Sequence, residues 1–266
     1  MISDNQWRVI SDLPRLDVAV VDLWRVDLDR DPATSHSFLQ LLSIEERERA
    51  GRFVFEKDRG RFIVCRAALR TILGGSMHIA PGQIRISANR YGKPYLSDPE
   101  GGIRFNVSHS HGLAVIAVTL DREIGVDLEF VDRDFDISSI PSSLYTPSGL
   151  SRFRSLPPDL QVEEFFSAWT RKEAVLKATG DGLSSSEELQ SAIRSINDDD
   201  LPCPMSLAVD NRSWTVTGID VQSNFKAALA VEGPIDAIRH WRPAQFELSS
   251  VFRQGRLASS LAPSVY

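Results

Sequence analysis

Apolar and polar residues alternate from Asp17 to Leu28 well enough to predict a strand. Further strands are expected at Ile84–Ala88, Phe105–Ser108, Leu113–Leu120 and Ile124–Phe130. Three more close the chain at Met205–Val209, Ser213–Asp220 and Phe225–Val231. A helical region begins at Thr34–Leu42, and Ser43-Ile44-Glu45-Glu46 is a capping box with Ser43 as N-cap and Glu46 at N3. The next helix, from about Glu56 to Leu73, puts Phe62, Cys65, Leu69 and Ile72 on one face and ends at Gly74-Gly75. A short helix is expected near Ser148–Phe153. A long one runs from Val162 to Thr179, free of internal Gly and Pro and closed by Gly180. Asn89–Pro94 reads as a turn, Ser138–Pro158 as a Ser/Pro-rich stretch, Ser184–Ser186 as a loop and Asn197–Asp200 as an acidic turn. Each half runs strand, helices, then about three strands, so the order suggests an internal duplication about Asp121-Arg122. Residues after about Arg242 read as a tail or appended helix.

Composition narrows the class. With 266 residues, 42% hydrophobic and 25% charged, the chain has the content of an ordinary globular protein with one large or two modest domains. The formal charge of −6 argues against a general nucleic-acid binder. No apolar run approaches the ~20 residues of a membrane span. Met1–Arg8 is polar and shows no signal-peptide core. Cys65 and Cys203 have no metal-ligand or redox spacing, and Cys65 falls in a helical pattern as a small buried residue. A reduced, cytoplasmic setting is the expectation.

Several residues then stand out for their chemistry. Asp127 and Glu129, two apart on a strand, leave the same face, with backbones roughly 7 Å apart at about 3.3 Å per residue. They form either an exposed acidic face or part of a site for a hard cation that offsets their repulsion. On the long helix Trp169, Glu173 and Lys177 recur every four residues along one stripe. Glu173 and Lys177 are either a surface ion pair or a third carboxylate with a phosphate-facing lysine. Arg47, Arg49 and Arg52, then Arg59, Arg61, Arg66 and Arg70, decorate the two early helices as solvated charge or as phosphate contacts.

Asn106-Val107-Ser108-His109-Ser110, then Gly125-Val126-Asp127-Leu128-Glu129, then Trp169-Thr170-Arg171-Lys172-Glu173-Ala174-Val175-Leu176-Lys177-Ala178-Thr179-Gly180 resemble, in order and separation, the signature motifs of the Sfp-type 4′-phosphopantetheinyl transferases. Ser43-x-x-Glu46-Arg47-x-Arg49, with Arg61-Phe62 and Arg66, is similar to the family's N-terminal motif, and Gly92-Lys93-Pro94 to its Gly-Lys-Pro. The resemblance covers roughly residues 17–233. It implies an α+β fold of two similar α/β subdomains related by a pseudo-twofold, with the active site in the cleft between them. The subdomains are expected at 1–121 (coenzyme A nucleotide contacts) and 122–240 (metal site and signature helix), with a tail at 241–266.

The resemblance also implies transfer of 4′-phosphopantetheine from coenzyme A to a serine of an apo acyl or peptidyl carrier protein, releasing 3′,5′-ADP. Mg²⁺, or Mn²⁺, is expected on Asp127, Glu129 and Glu173. Lys177 is expected to offset charge on the pyrophosphate, Glu173 or a metal-bound water to take the serine proton, and His109 to contact phosphate. One carboxylate rarely serves as both tight ligand and base, so the two roles of Glu173 compete. Coenzyme A is expected to meet Arg49, Lys93, Pro94, Ser108, His109, Asp127 and Lys177. Glu46 stands where some relatives carry a second basic residue, and Arg47 is the candidate substitute. Trp169 is expected to pack the helix on the cleft wall, and Lys172 to meet phosphate or solvent. His111 has no assigned role. The duplication implies a self-sufficient monomer of pseudo-dimeric architecture. Another Mg²⁺-dependent phosphoryl-transfer enzyme and a non-catalytic carrier-binding module are the competing readings.

Overall fold

The computed structural model describes residues 6–10, 12–97, 102–137, 142–180, 186–198, 204–209 and 211–243. Its strands are β1 Arg8–Ile10, β2 Val20–Asp27, β3 Ile86–Ala88, β4 Pro94–Leu96, β5 Ile103–Ser110, β6 Leu113–Leu120, β7 Ile124–Phe130, β8 Met205–Val209, β9 Arg212–Ile219, β10 Phe225–Glu232 and β11 Ala237–Pro243. Its helices are α1 Pro32–Ser37, α2 Ile44–Ala50, α3 Glu56–Met77, α4 Pro147–Ser155, α5 Pro158–Thr179 and α6 Glu187–Ile196. This is the expected α+β class.

Two sheets stack between two long helices. The first has strand order β1-β11-β2-β6-β5, the second β7-β10-β9-β8, and β3 and β4 form a separate hairpin. Strand β6 is apolar on both faces for a reason. Ala114, Ile116 and Val118 pack under α3, while Leu113, Val115 and Ala117 pack against Ile124, Val126, Leu128, Leu229 and Val231 of the second sheet. On that second sheet Ala228 and Ala230 face Ala174, Val175 and Ala178 of α5. The layers are therefore α3, first sheet, second sheet, α5. Both sheets repeat one wiring: the first strand (β2, β7) pairs with the last strand of its unit (β6, β10) after the intervening helices.

Local signals account for most boundaries. The capping box at Ser43 and Glu46 is formed. Gly180 closes α5 in the left-handed region at φ 74°. Gly74-Gly75 does not end α3, which continues to Met77 and is capped by His78 at φ 57°. These glycines make room instead: a Cβ on Gly75 would lie 1.8 Å from Leu13 Cδ1. Helix α6 was not expected, although Ser186 caps it and Leu189, Ile193 and Ile196 form its buried stripe.

Strand β11 is the larger difference. It inserts in parallel between β1 and β2, so the chain's late residues complete the first sheet. The expected boundary at residue 240 falls inside it. Asp22 of β2, 1% exposed, accepts two bonds from the Arg239 guanidinium at 2.7 Å and one from Trp241 Nε1 at 2.6 Å. Parts of the expected 184–186 loop and 197–200 turn, and the tail beyond 243, lie outside the described residues.

Candidate active site

The motif strand β7 and helix α5 meet at Gly125. A Cβ there would lie 2.1 Å from the Ala174 carbonyl oxygen and 2.3 Å from the Ala178 nitrogen. Glycine thus lets the helix backbone rest on the strand. Strand periodicity then turns Asp127 and Glu129 to the same face as Gly125, toward α5, while Val126 and Leu128 enter the inter-sheet core. On the helix, Ala174 and Ala178 take the contact, and Glu173 and Lys177 border a cavity of about 340 Å³. Gly92, Lys93, Pro94 and Asn106 line its other walls. A larger cavity of about 890 Å³ lies near the end of α3, bordered by Leu13, His78 and Leu96, and holds none of the motif residues. Chemistry rather than size singles out the smaller one.

Asp127 is the hub. It is 3% exposed, and its Oδ1 accepts from Lys177 Nζ at 2.6 Å and from Ser108 Oγ at 3.0 Å. Lys177 also reaches Ser108 Oγ at 3.0 Å. Asp127 Oδ2 is buried with no hydrogen-bond partner. Burial, and then the charge of Asp127, raise the pKa values of both Glu129 and Glu173 above the ordinary carboxylate range. The Ser110 hydroxyl and Lys177 partly offset this at Glu129, and Lys172 and Lys177 at Glu173. Among the described residues no three His, Cys, Asp or Glu side chains converge closely enough to form a metal cage. The donor chemistry nevertheless suits a hard divalent cation: an orphaned buried carboxylate oxygen stands beside two carboxylates that are costly to ionise together.

Cationic side chains gather around His109. The His109 ring keeps solvent contact, yet its pKa is lowered, by burial within the cleft first and then by Lys177, Arg49 and Arg61. Arg49 lies over the Phe62 ring, 5.1 Å from its centroid. Arg61 is held on Asp29 by bonds of 2.6 and 2.9 Å. Arg49 and Arg61 thus supply cations beside His109, an arrangement suited to an anion.

Other expected residues have structural partners. Lys93 Nζ bonds Glu123 Oε2 at 2.6 Å and the Ala178 carbonyl at 2.7 Å, so it ties the Gly-Lys-Pro turn to β7 and the end of α5. Pro94 opens β4 and lines the cavity. Glu46 joins α2 to α3. It receives Arg66 and Arg70, each at 2.5 Å, and these cations outweigh its burial and hold its pKa below the ordinary range. Arg47, the candidate substitute, bonds the Leu42 carbonyl at 2.9 and 3.1 Å. Trp169 packs against the cluster containing Phe165, and Lys172 sits 5.1 Å from its ring centroid. His111 turns the β5–β6 hairpin at φ 52° and lies against Phe130. Sequence reading missed Ser110, whose hydroxyl bonds Glu129 Oε2 at 3.2 Å. The available signal was the period-two run of polar Asn106, Ser108 and Ser110 on a strand otherwise facing a core.

Known proteins resemble the chain over the same regions. A family profile described as the 4′-phosphopantetheinyl transferase superfamily matches residues 123–230, and one described as 4′-phosphopantetheinyl transferase, N-terminal, matches residues 31–121. The 4′-phosphopantetheinyl transferase HetI of a Nostoc species is 38% identical over 215 residues, covering 80% of this chain and 88% of that protein. The 4′-phosphopantetheinyl transferase Sfp of Bacillus subtilis is 31% identical over 149 residues, 55% of this chain and 64% of its own. The L-aminoadipate-semialdehyde dehydrogenase-phosphopantetheinyl transferase of Xenopus laevis is 26% identical over 214 residues, 75% and 70% of the two chains.

Proposed function

The chain belongs to the 4′-phosphopantetheinyl transferases of the Sfp type and transfers phosphopantetheine from coenzyme A to carrier proteins; from that premise we propose which of its residues do the work. A carrier serine hydroxyl attacks the pantetheine-side phosphorus of the coenzyme A pyrophosphate. The P–O bond to the nucleotide breaks, and 3′,5′-ADP leaves with its electron pair. Such a displacement needs charge neutralised and the nucleophile placed in line.

The single observation that carries the reading is the Asp127 hub: a buried carboxylate with one oxygen on Lys177 and Ser108 and the other free of partners. Asp127, Glu129 and Glu173 would hold Mg²⁺ or Mn²⁺, which when bound supplies a Lewis acid for the pyrophosphate oxygens. Lys177 donates to the oxygens on which charge develops. Glu173, with its raised proton affinity, accepts the serine proton when it is not committed to the cation. His109, Arg49 and Arg61 receive the nucleotide-side phosphates, and Pro94 and Ser108 border the same ligand. Lys93 contributes through the turn it anchors.

Two subdomains related by a pseudo-twofold are part of this reading, with the second ending before β11, which joins the first sheet. Both sheets share one wiring, and the two family matches abut at the Asp121–Glu123 turn. A working monomer in the cytoplasm fits this arrangement, and among the described residues no helix is long and apolar enough to cross a membrane.

The test is intact mass of an apo acyl or peptidyl carrier incubated with this protein, coenzyme A and Mg²⁺. A gain of one phosphopantetheine that disappears with EDTA supports both the transfer and its cation dependence. A gain that persists in EDTA overturns the cation assignment alone. Comparing Glu173→Gln with Glu173→Ala separates base from ligand: loss of turnover with cation affinity kept marks the base.

A further inference from the structure

Strands β5 and β7 are the outer strands of different sheets, and among the described residues no backbone ladder joins them. Side chains make the join. Asn106 Oδ1 accepts the Val126 N–H at 3.0 Å, Ser108 Oγ the Leu128 N–H at 3.2 Å, and Ser110 Oγ the Phe130 N–H at 3.1 Å. Each acceptor meets the amide twenty residues further on. This satisfies the free edge of β7 without a partner strand.

Each serine hydroxyl has one proton to give as well as lone pairs to offer. Ser108 donates to Asp127 Oδ1 at 3.0 Å and Ser110 to Glu129 Oε2 at 3.2 Å, both nineteen residues on. One atom thus fixes the strand and the carboxylate that the strand presents. A slip of one residue would bring Val126 and Leu128 to the cleft instead. Without its hydroxyl, Glu129 would face the charge of Asp127 with no hydrogen bond to hold it.

We infer that Ser110 is a positioning residue, which holds the Glu129 carboxylate beside Asp127 so that the pair can take a divalent cation. The inference rests on the proposed cation site. Ser108 serves Asp127 in the same way, but Lys177 bonds Asp127 too, so Ser110 is the cleaner position to test. The His111 ring nitrogen, 3.5 Å from Ser110 Oγ, is a longer and competing partner.

The experiment is calorimetric titration of Mg²⁺ into the full chain, with coenzyme A binding in EDTA measured beside it. In Ser110→Ala the Mg²⁺ affinity is expected to fall about 10–100-fold, the usual cost of losing a hydrogen bond behind a metal ligand. Coenzyme A affinity in EDTA is expected to stay at the wild-type value, and Ser110→Thr to restore Mg²⁺ binding. A merely structural role would lower the melting temperature without changing the Mg²⁺ affinity of the folded protein. Unchanged Mg²⁺ affinity in Ser110→Ala overturns the inference while leaving the cation site standing. Wild-type protein that takes up no Mg²⁺ overturns both. If Ser110→Ala does not fold, Ser110→Cys keeps the volume with a weaker donor; wild-type affinity there also overturns the inference.

Discussion

Lys177 is neutralised before any substrate arrives, because its ammonium already sits on Asp127. Lys177→Met removes both the counter-ion of a buried carboxylate and the donor for the developing charge. Transfer is expected to fall by roughly 100-fold or more, measured by carrier mass gain. His109 allows a pH prediction. Burial and the cations Lys177, Arg49 and Arg61 hold its pKa below the ordinary value, so it is neutral near pH 7 in the free enzyme. A bound phosphate reverses the local field, raises that pKa and draws in a proton. Coenzyme A should therefore bind more tightly as pH falls from above the bound-state pKa toward the free-state pKa. Calorimetry across about pH 5 to 8, the ordinary histidine range, checks this, and His109→Asn should flatten the profile. Without ligand the sign is opposite: a lowered histidine pKa contributes stability above the unfolded-state pKa that is lost as pH falls through the folded one. At this scale the residue types brought together around Asp127 were legible in the sequence. Their partners were not, since the bonds joining Asp127 to Lys177 and Glu129 to Ser110 span 50 and 19 residues.

Elements act here through close backbone contacts. Gly125→Ala would place a methyl group within 2.3 Å of two backbone atoms of α5. The helix must retreat, at about 1–3 kcal/mol or more, and thermal unfolding should show the loss together with reduced turnover. Glu46 acts at this scale. It joins α2 to α3 through Arg66 and Arg70, and Arg70, 2% exposed, also bonds the Pro81 and Ile84 carbonyls. Restoring a basic residue by Glu46→Lys should not tighten coenzyme A binding. It should destabilise the fold by about 3–5 kcal/mol, because a buried guanidinium loses its counter-ion; denaturant melts read this directly. Sequence periodicity located β7 and the end of α5. It misread Gly74-Gly75 as a stop, because a glycine that admits Leu13 and one that ends a helix look alike in one dimension.

The whole molecule is closed by a strand that the family-like region does not include. Strand β11 runs between β1 and β2 and brings Arg239 and Trp241 onto Asp22. Asp22→Ala should cost about 1–3 kcal/mol by leaving the buried Trp241 N–H without its acceptor and taking the carboxylate from Arg239, seen as a lower melting temperature with coenzyme A affinity of the folded protein retained. By itself the sequence determined the class, the repeated order of elements and the residue types gathered at the candidate site. These depend on local periodicity and on residue types that few other chemistries need together. Only the tertiary structure decided that Lys93, Glu46 and Arg47 bond to the frame, that β11 completes the first sheet, and that two serines bond two carboxylates. Each of those depends on which distant atoms come within about 3 Å, the reach of a hydrogen bond, and a linear pattern carries no record of that distance.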